Sequence, residues 1–239
     1  RTADGVVKNA ASLDQLFEDM FRDYTDDELA VIKAKYGTEG NVLEAPLLIA
    51  PKARDMLRHY AAVVMPEGFK AQVVATSRRA AVTYHEKLLA ARAELVAQIE
   101  AVPGAVLTMS EDELAAQDAD TRFLVRAYPL LPKLKAMEVA AVISGDHNDP
   151  ESWRDWTDKE KQKDLTARFR RTLATERTDK TDPLCILVVN NMLITGFDAP
   201  VEQVMYLDRK IVAHDLLQAI ARVNRTGAGK KCGYVVDYI

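Results

Sequence analysis

From residue 70 onward, short apolar runs alternate with longer stretches in which apolar positions recur every three or four residues. Residues 71–75 (Ala-Gln-Val-Val-Ala), 139–143 (Val-Ala-Ala-Val-Ile), 184–189 (Leu-Cys-Ile-Leu-Val-Val), 203–207 (Gln-Val-Met-Tyr-Leu) and 233–236 (Gly-Tyr-Val-Val) read as strands. A run as uniformly apolar as 184–189 suits a strand buried on both faces of a parallel sheet. Between these runs the period lengthens to that of a helix. Ser77 is placed to cap a long helix carrying Tyr84, Leu88 and Leu95. A second helix is predicted over 157–175, with Leu165, Phe169 and Leu173 four apart, and a third over 215–225. Strands alternating with helices predict an α/β domain with a mainly parallel sheet flanked by helices.

Residues 1–65 have a different rhythm. Leu13, Leu16, Phe17 and Met20 follow helical spacing behind Ser12, a second helix is predicted over 26–36, and a third over about 51–64. The expected organisation is an N-terminal helical segment over 1–65 and an α/β domain over 66–239. Residues 98–137, acidic and interrupted by Pro129 and Pro132, read as an insertion in that domain.

Composition narrows the class. With 48% apolar and 28% charged residues, the chain has the balance of a water-soluble globular protein. It contains no apolar run of membrane-spanning length. The chain begins at Arg1, without the apolar stretch of a signal peptide, and is expected to be a piece of a longer protein. Cys185 and Cys232 both sit in apolar runs and are expected to be reduced core thiols of a cytosolic protein. His59, His85, His147 and His214 lack metal-ligand spacing. A formal net charge of −4 gives nucleic-acid binding no support, so any such role must rest on where individual cations sit.

Ligands of parallel sheets bind beyond the carboxyl ends of the strands. Two segments there hold candidate chemistry. On a helix over 215–225, Gln218, Arg222 and Arg225 share one face, and Leu216, Ile220 and Val223 the opposite, buried one. A guanidinium fork suits phosphate oxygens; a solvated basic face is the plainer alternative. The second segment is 190–200, directly after the most apolar strand. There Gly196 permits close backbone approach, Asp198 could accept from ribose hydroxyls, and Asn190 and Thr195 could donate to phosphate. An ordinary turn is the alternative. Trp153 and Trp156 could stack on bases or anchor a loop.

Gln218-Ala219-Ile220-Ala221-Arg222-Val223-Asn224-Arg225 resembles the sixth motif of superfamily 2 helicases, and Thr195-Gly196-Phe197-Asp198 the fifth. Ser77-Arg78 resembles the fourth. The longer stretches 191–200 and 216–225 resemble the motor (R) subunit of type I restriction enzymes. So do residues 36–39, 42–46, 68–71 and 142–145. One departure is Ala221, where many superfamily members have glycine.

The resemblance implies the second RecA-like domain of an ATP-driven translocase on double-stranded DNA, part of an ATP-hydrolysing type I site-specific deoxyribonuclease. Arg225 would be the arginine finger and Arg222 a second phosphate contact. Gln218 would couple nucleotide to DNA, Asp198 would meet the ribose, and Gly196 would let the backbone approach. Ser77, Arg78, Ser144, Gly145, Asn190 and Thr195 would touch nucleic acid. The implied cofactors are ATP and Mg2+, and the implied partners are methyltransferase and specificity subunits. The sequence holds no Gly-x-x-x-x-Gly-Lys-Ser/Thr, and Thr226-Gly227-Ala228-Gly229-Lys230-Lys231 lacks that spacing. It also holds no Asp-Glu-x-His box and no nuclease carboxylate–lysine set. The magnesium site is therefore expected on an N-terminal RecA-like domain, with the nuclease also on the N-terminal side of the same subunit, and the fragment itself is expected to be inactive. The alternatives are another superfamily 2 helicase or translocase, or a non-catalytic α/β assembly module.

Overall fold

Lys70–Ala75 (β1) forms the centre of a five-stranded, wholly parallel sheet. Leu184–Val189 (β5) and Glu138–Val142 (β2) lie to one side of it, and Glu202–Asp208 (β6) and Tyr234–Asp237 (β7) to the other. The computed structural model describes residues 44–194, 196–210, 217–218, 220–221, 223–224 and 229–238. The helices predicted within 1–43 lie outside the described residues. The architecture is the RecA-like α/β class expected from the sequence.

Every residue of β1, β5 and β6 is buried. These strands are covered on both faces, which is why their sequences lack a polar alternation. Ala71, Val73, Ala75, Val188, Val204 and Tyr206 face one core. Val74, Leu187, Val189, Met205 and Leu207 face the other.

The first face is covered by Pro46–His59 (α1) and Arg78–Glu100 (α2). Helix α1 starts five residues before the predicted start at Pro51. Pro46 occupies a first-turn position, where its missing N–H costs nothing. Pro51 gives up one bond inside the helix, to the carbonyl of Leu47, a residue 49% exposed. A π-helical turn over Tyr60–Val64 ends the segment, with the Met65 N–H donating to the Tyr60 carbonyl at 2.9 Å. Met56, Tyr60 and Val64 belong to the same buried cluster as the sheet residues.

After α2 come four short helices, Gly104–Leu107 (α3), Glu111–Ala115 (α4), Ala119–Ala127 (α5) and Leu131–Ala136 (α6). Ala127 and Leu134 bind this stretch to the first core. Arg154–Thr157 (α7) follows β2, and Lys159–Phe169 (α8) covers the second face with Leu165 and Phe169. Helix α8 ends six residues before the predicted limit. Leu173, which fits the helical spacing, is buried in a two-residue strand, Thr172–Leu173 (β3), paired in parallel with Thr181–Asp182 (β4). One four-residue step is thus matched by a turn back onto the core.

Candidate functional site at the carboxyl edge of the sheet

The register places Val74 beside Val189, and Val189 beside Val142. The connections leaving β1, β5 and β2 therefore emerge at one level, which brings Ser77, Arg78, Asn190, Ser144 and Gly145 to one edge. Ser77 is extended, and the N–H of Ala80 donates to its Oγ at 3.0 Å, so it caps α2 as its position predicts. Arg78, expected at a phosphate, is instead paired with Asp149, and its guanidinium lies 5.4 Å from the centre of the Trp153 ring. Ser144 and Gly145 are exposed. Behind them the Gln162 amide donates to the carbonyls of Ile143 at 2.7 Å and Trp156 at 2.6 Å. Trp153 and Trp156 are partly buried against the first core, and Trp156 packs on His85 with ring centres 4.5 Å apart. The tryptophans anchor this connection.

Asn190 is buried, and its amide donates to the carbonyl of Ala75 at 3.0 Å. That donor expected at phosphate ties the end of β5 to the end of β1. Arg209, just beyond β6, donates to the Asn190 carbonyl at 3.0 Å. Further along the connection Gly196 has φ +73°, a left-handed conformation that suits glycine, with open space where a Cβ would be. Phe197 is buried 6.2 Å from Phe169, and Arg170 lies over its ring and donates to the Asp198 carbonyl at 2.9 Å. The backbone of Asp198 is thereby held while its side chain is exposed. Thr195 lies outside the described residues.

Gln218 is exposed on a helix that includes Leu217, Ile220, Ala221 and Val223. Arg222 and Arg225 lie outside the described residues. The expected buried face holds for Val223, 1% exposed, but not for Ile220, 41% exposed. Val223 packs into the second core, and Ile220 belongs to neither core. Gly233 sets how closely the chain passes this helix. A Cβ there would lie 2.2 Å from the Val223 carbonyl oxygen, which only glycine avoids.

The type I restriction enzyme subunit R domain 3 family matches residues 67–239, most of the chain. The chain belongs to that family. It is similar to the HindI type I restriction enzyme endonuclease subunit of Haemophilus influenzae, 39% identical over 105 residues. That stretch is 42% of this chain and 9% of the relative. The MjaIXP endonuclease subunit of Methanocaldococcus jannaschii is 37% identical over 105 residues, 44% of this chain and 9% of the relative. The MjaVIIP endonuclease subunit of the same organism is 56% identical over 54 residues, 23% of this chain and 5% of the relative. The chain thus matches less than a tenth of the length of these relatives.

In this R-subunit domain, two polar networks escaped the sequence reading because their members are far apart in the chain. At the carboxyl end of β6, Asp208 is buried and accepts from Tyr84 at 2.6 Å and Lys52 at 2.5 Å, joining α1, α2 and the sheet. At the amino ends, Arg168 and Asp182 pair beside the fully buried Lys70. Burial lowers the Lys70 amine to about 8, with the Asp182 charge acting against that shift. A depressed lysine binds fewer protons folded than unfolded, so its contribution rises with pH between about 8 and the ordinary 10.5. Lys70→Met is expected to be more stable than the parent at pH 7, by on the order of 3 kcal/mol at most. That advantage should shrink towards pH 10 in urea unfolding. A pH-independent difference would show that the amine is not perturbed.

Cys185 is buried, and burial pushes its thiol up to about 12. Cys232, expected in the core, is exposed, because β7 begins two residues later at Tyr234 and lies at the edge of the sheet. No metal-binding cluster and no helix long and apolar enough to cross a membrane occurs among the described residues.

Proposed function

We propose that this chain is the second RecA-like half of the ATP-dependent double-stranded DNA translocase of a type I restriction endonuclease. The observation that carries this reading is the family match over 67–239, on a parallel sheet with Ser77, Ser144 and Gly145 at its carboxyl edge. One side of a nucleotide fits the residues at hand: Gly196 leaves open space beside the exposed Asp198, and Gln218 is exposed on its helix. In this reading Asp198 accepts from ribose hydroxyls and Gly196 lets the backbone approach. Arg222 and Arg225 face the phosphates, and Gln218 links that site to DNA. Bound with Mg2+, ATP supplies the free energy of phosphoanhydride hydrolysis.

In this reading the DNA track runs over Ser77, Ser144 and Gly145, with Arg78 and Asn190 behind it, and Thr195 is a further nucleic-acid contact. Such a track contacts backbone rather than bases, so binding would be salt-dependent with weak sequence preference. The magnesium-holding RecA-like domain and the nuclease belong to the N-terminal side of the same subunit in this reading, and DNA recognition to the partner specificity and methyltransferase subunits.

The test is direct. The 239-residue chain is expected to hydrolyse no ATP, with or without duplex DNA, while the complete subunit does so when DNA is present. Robust turnover by the chain itself would overturn the half-motor reading.

A further inference from the structure

We infer that Arg78 and Asp149 form an internal clamp that fixes the shape of the connection 144–149, so that Arg78 is a positioning residue for the DNA-facing edge; this rests on the DNA-motor reading above. Both oxygens of Asp149 are engaged. One pairs with Arg78, and the other accepts from the Asp146 N–H at 2.7 Å. The Asp149 N–H donates to the Asp146 carbonyl at 3.2 Å, and the Asn148 N–H to the Asp146 carboxylate at 3.1 Å. The connection is thus folded around Asp149, and Arg78 is what Asp149 docks onto.

The clamp joins separate parts of the fold. Arg78 opens α2, directly after β1, while Asp149 follows β2, and β5 lies between those strands. The pair therefore spans the end of β5, where Asn190 is tied to Ala75. Arg78 is poorly placed to grip a phosphate. Its side chain is 26% exposed, its Nε is buried from solvent, and its guanidinium lies over the Trp153 ring. Its charge is also neutralised at contact distance by a carboxylate that the Arg78 hydrogen bond holds below the usual aspartate range. A paired guanidinium of this kind releases no counterion from DNA.

The experiment uses the complete subunit carrying Arg78→Ala, Asp149→Asn, or both together. Amide hydrogen exchange over 144–153 and duplex affinity as a function of salt are measured, with exchange in β1 and β5 as the folding control. Each single substitution is expected to raise exchange over 144–153 by about tenfold, and the double no further. Each single is also expected to weaken duplex binding by about tenfold without changing the salt slope. Asp149→Asn decides most sharply, because removing a negative charge would by electrostatics alone tighten binding. A slope shallower by about 0.9 in Arg78→Ala would make Arg78 a direct phosphate contact, and tighter binding by Asp149→Asn would show that the pair does not position the edge; either result would overturn the proposal. Unchanged exchange in both singles would also overturn it. Raised exchange with unaltered DNA affinity would support the clamp and overturn the placement of DNA at this edge.

Discussion

Arg225→Ala in the complete subunit is expected to cut DNA-stimulated ATP hydrolysis by about 10³-fold while leaving duplex affinity within about twofold. Transfer of a phosphoryl group spreads negative charge over its equatorial oxygens, and a guanidinium supplied at that moment stabilises it more than it stabilises bound substrate. The loss should therefore appear in kcat rather than KM. Arg225→Lys should recover little, because an ammonium keeps the charge but not the fork. By spacing, Arg225 follows Gln218 by two helical turns, and Gln218 is exposed while Val223 anchors the helix in the second core. Arg222→Ala should also lower turnover, with a larger share in KM if it contacts ground-state phosphates. Normal turnover in Arg225→Ala would remove it from the phosphoryl-transfer step.

The features legible in the sequence are those whose cause is local. Strand β5 stands out because a strand buried on both faces can be apolar throughout, β1 and β6 by their apolar centres, and Ser77 because an N-cap acts on the residues immediately after it. The family resemblance carried by 190–200 and 218–225 is legible for a similar reason, since each stretch is contiguous. What failed depends on distant groups. Nothing near Arg78 announces Asp149, 71 residues later, and an arginine at a helix start reads as a phosphate ligand until its partner is seen. Ile220 and Cys232 are apolar in kind but exposed, Cys232 just ahead of an edge strand, so hydrophobicity alone misplaces them. Lys70 is the reverse case. A lysine inside a strand suggests an edge, yet topology puts β1 at the centre and closes α8 over its amino end.

Asp182→Ala is expected to destabilise the fold by about 3–5 kcal/mol, a large part of the roughly 5–15 kcal/mol that holds a domain together. Asp182 is fully buried and receives both prongs of the Arg168 fork, at 3.0 and 2.9 Å, together with the Leu184 N–H at 2.9 Å. Arg171 and Arg177 stand 3.5 and 3.6 Å away. Removing the carboxylate leaves Arg168, 9% exposed, with Glu138 as its remaining ion-pair partner among the described residues, and leaves the neighbouring Lys70 amine without its main counter-charge. Replacing both members, Arg168→Met with Asp182→Leu, is expected to cost much less, because no charge is then stranded. The pair also sets an acid limit. Burial pushes the Asp182 carboxyl up, but hydrogen bonds from Arg168 and the Leu184 N–H, with the nearby cations, outweigh it and hold the group below the ordinary 3.8. A depressed carboxylate stabilises fully above its unfolded value and loses that effect as pH falls through the folded one. Urea unfolding of parent and Asp182→Ala should therefore differ most above pH 4 and converge in stronger acid. Equal stability of the two at pH 7 would mean that β4 and α8 are held without this pair.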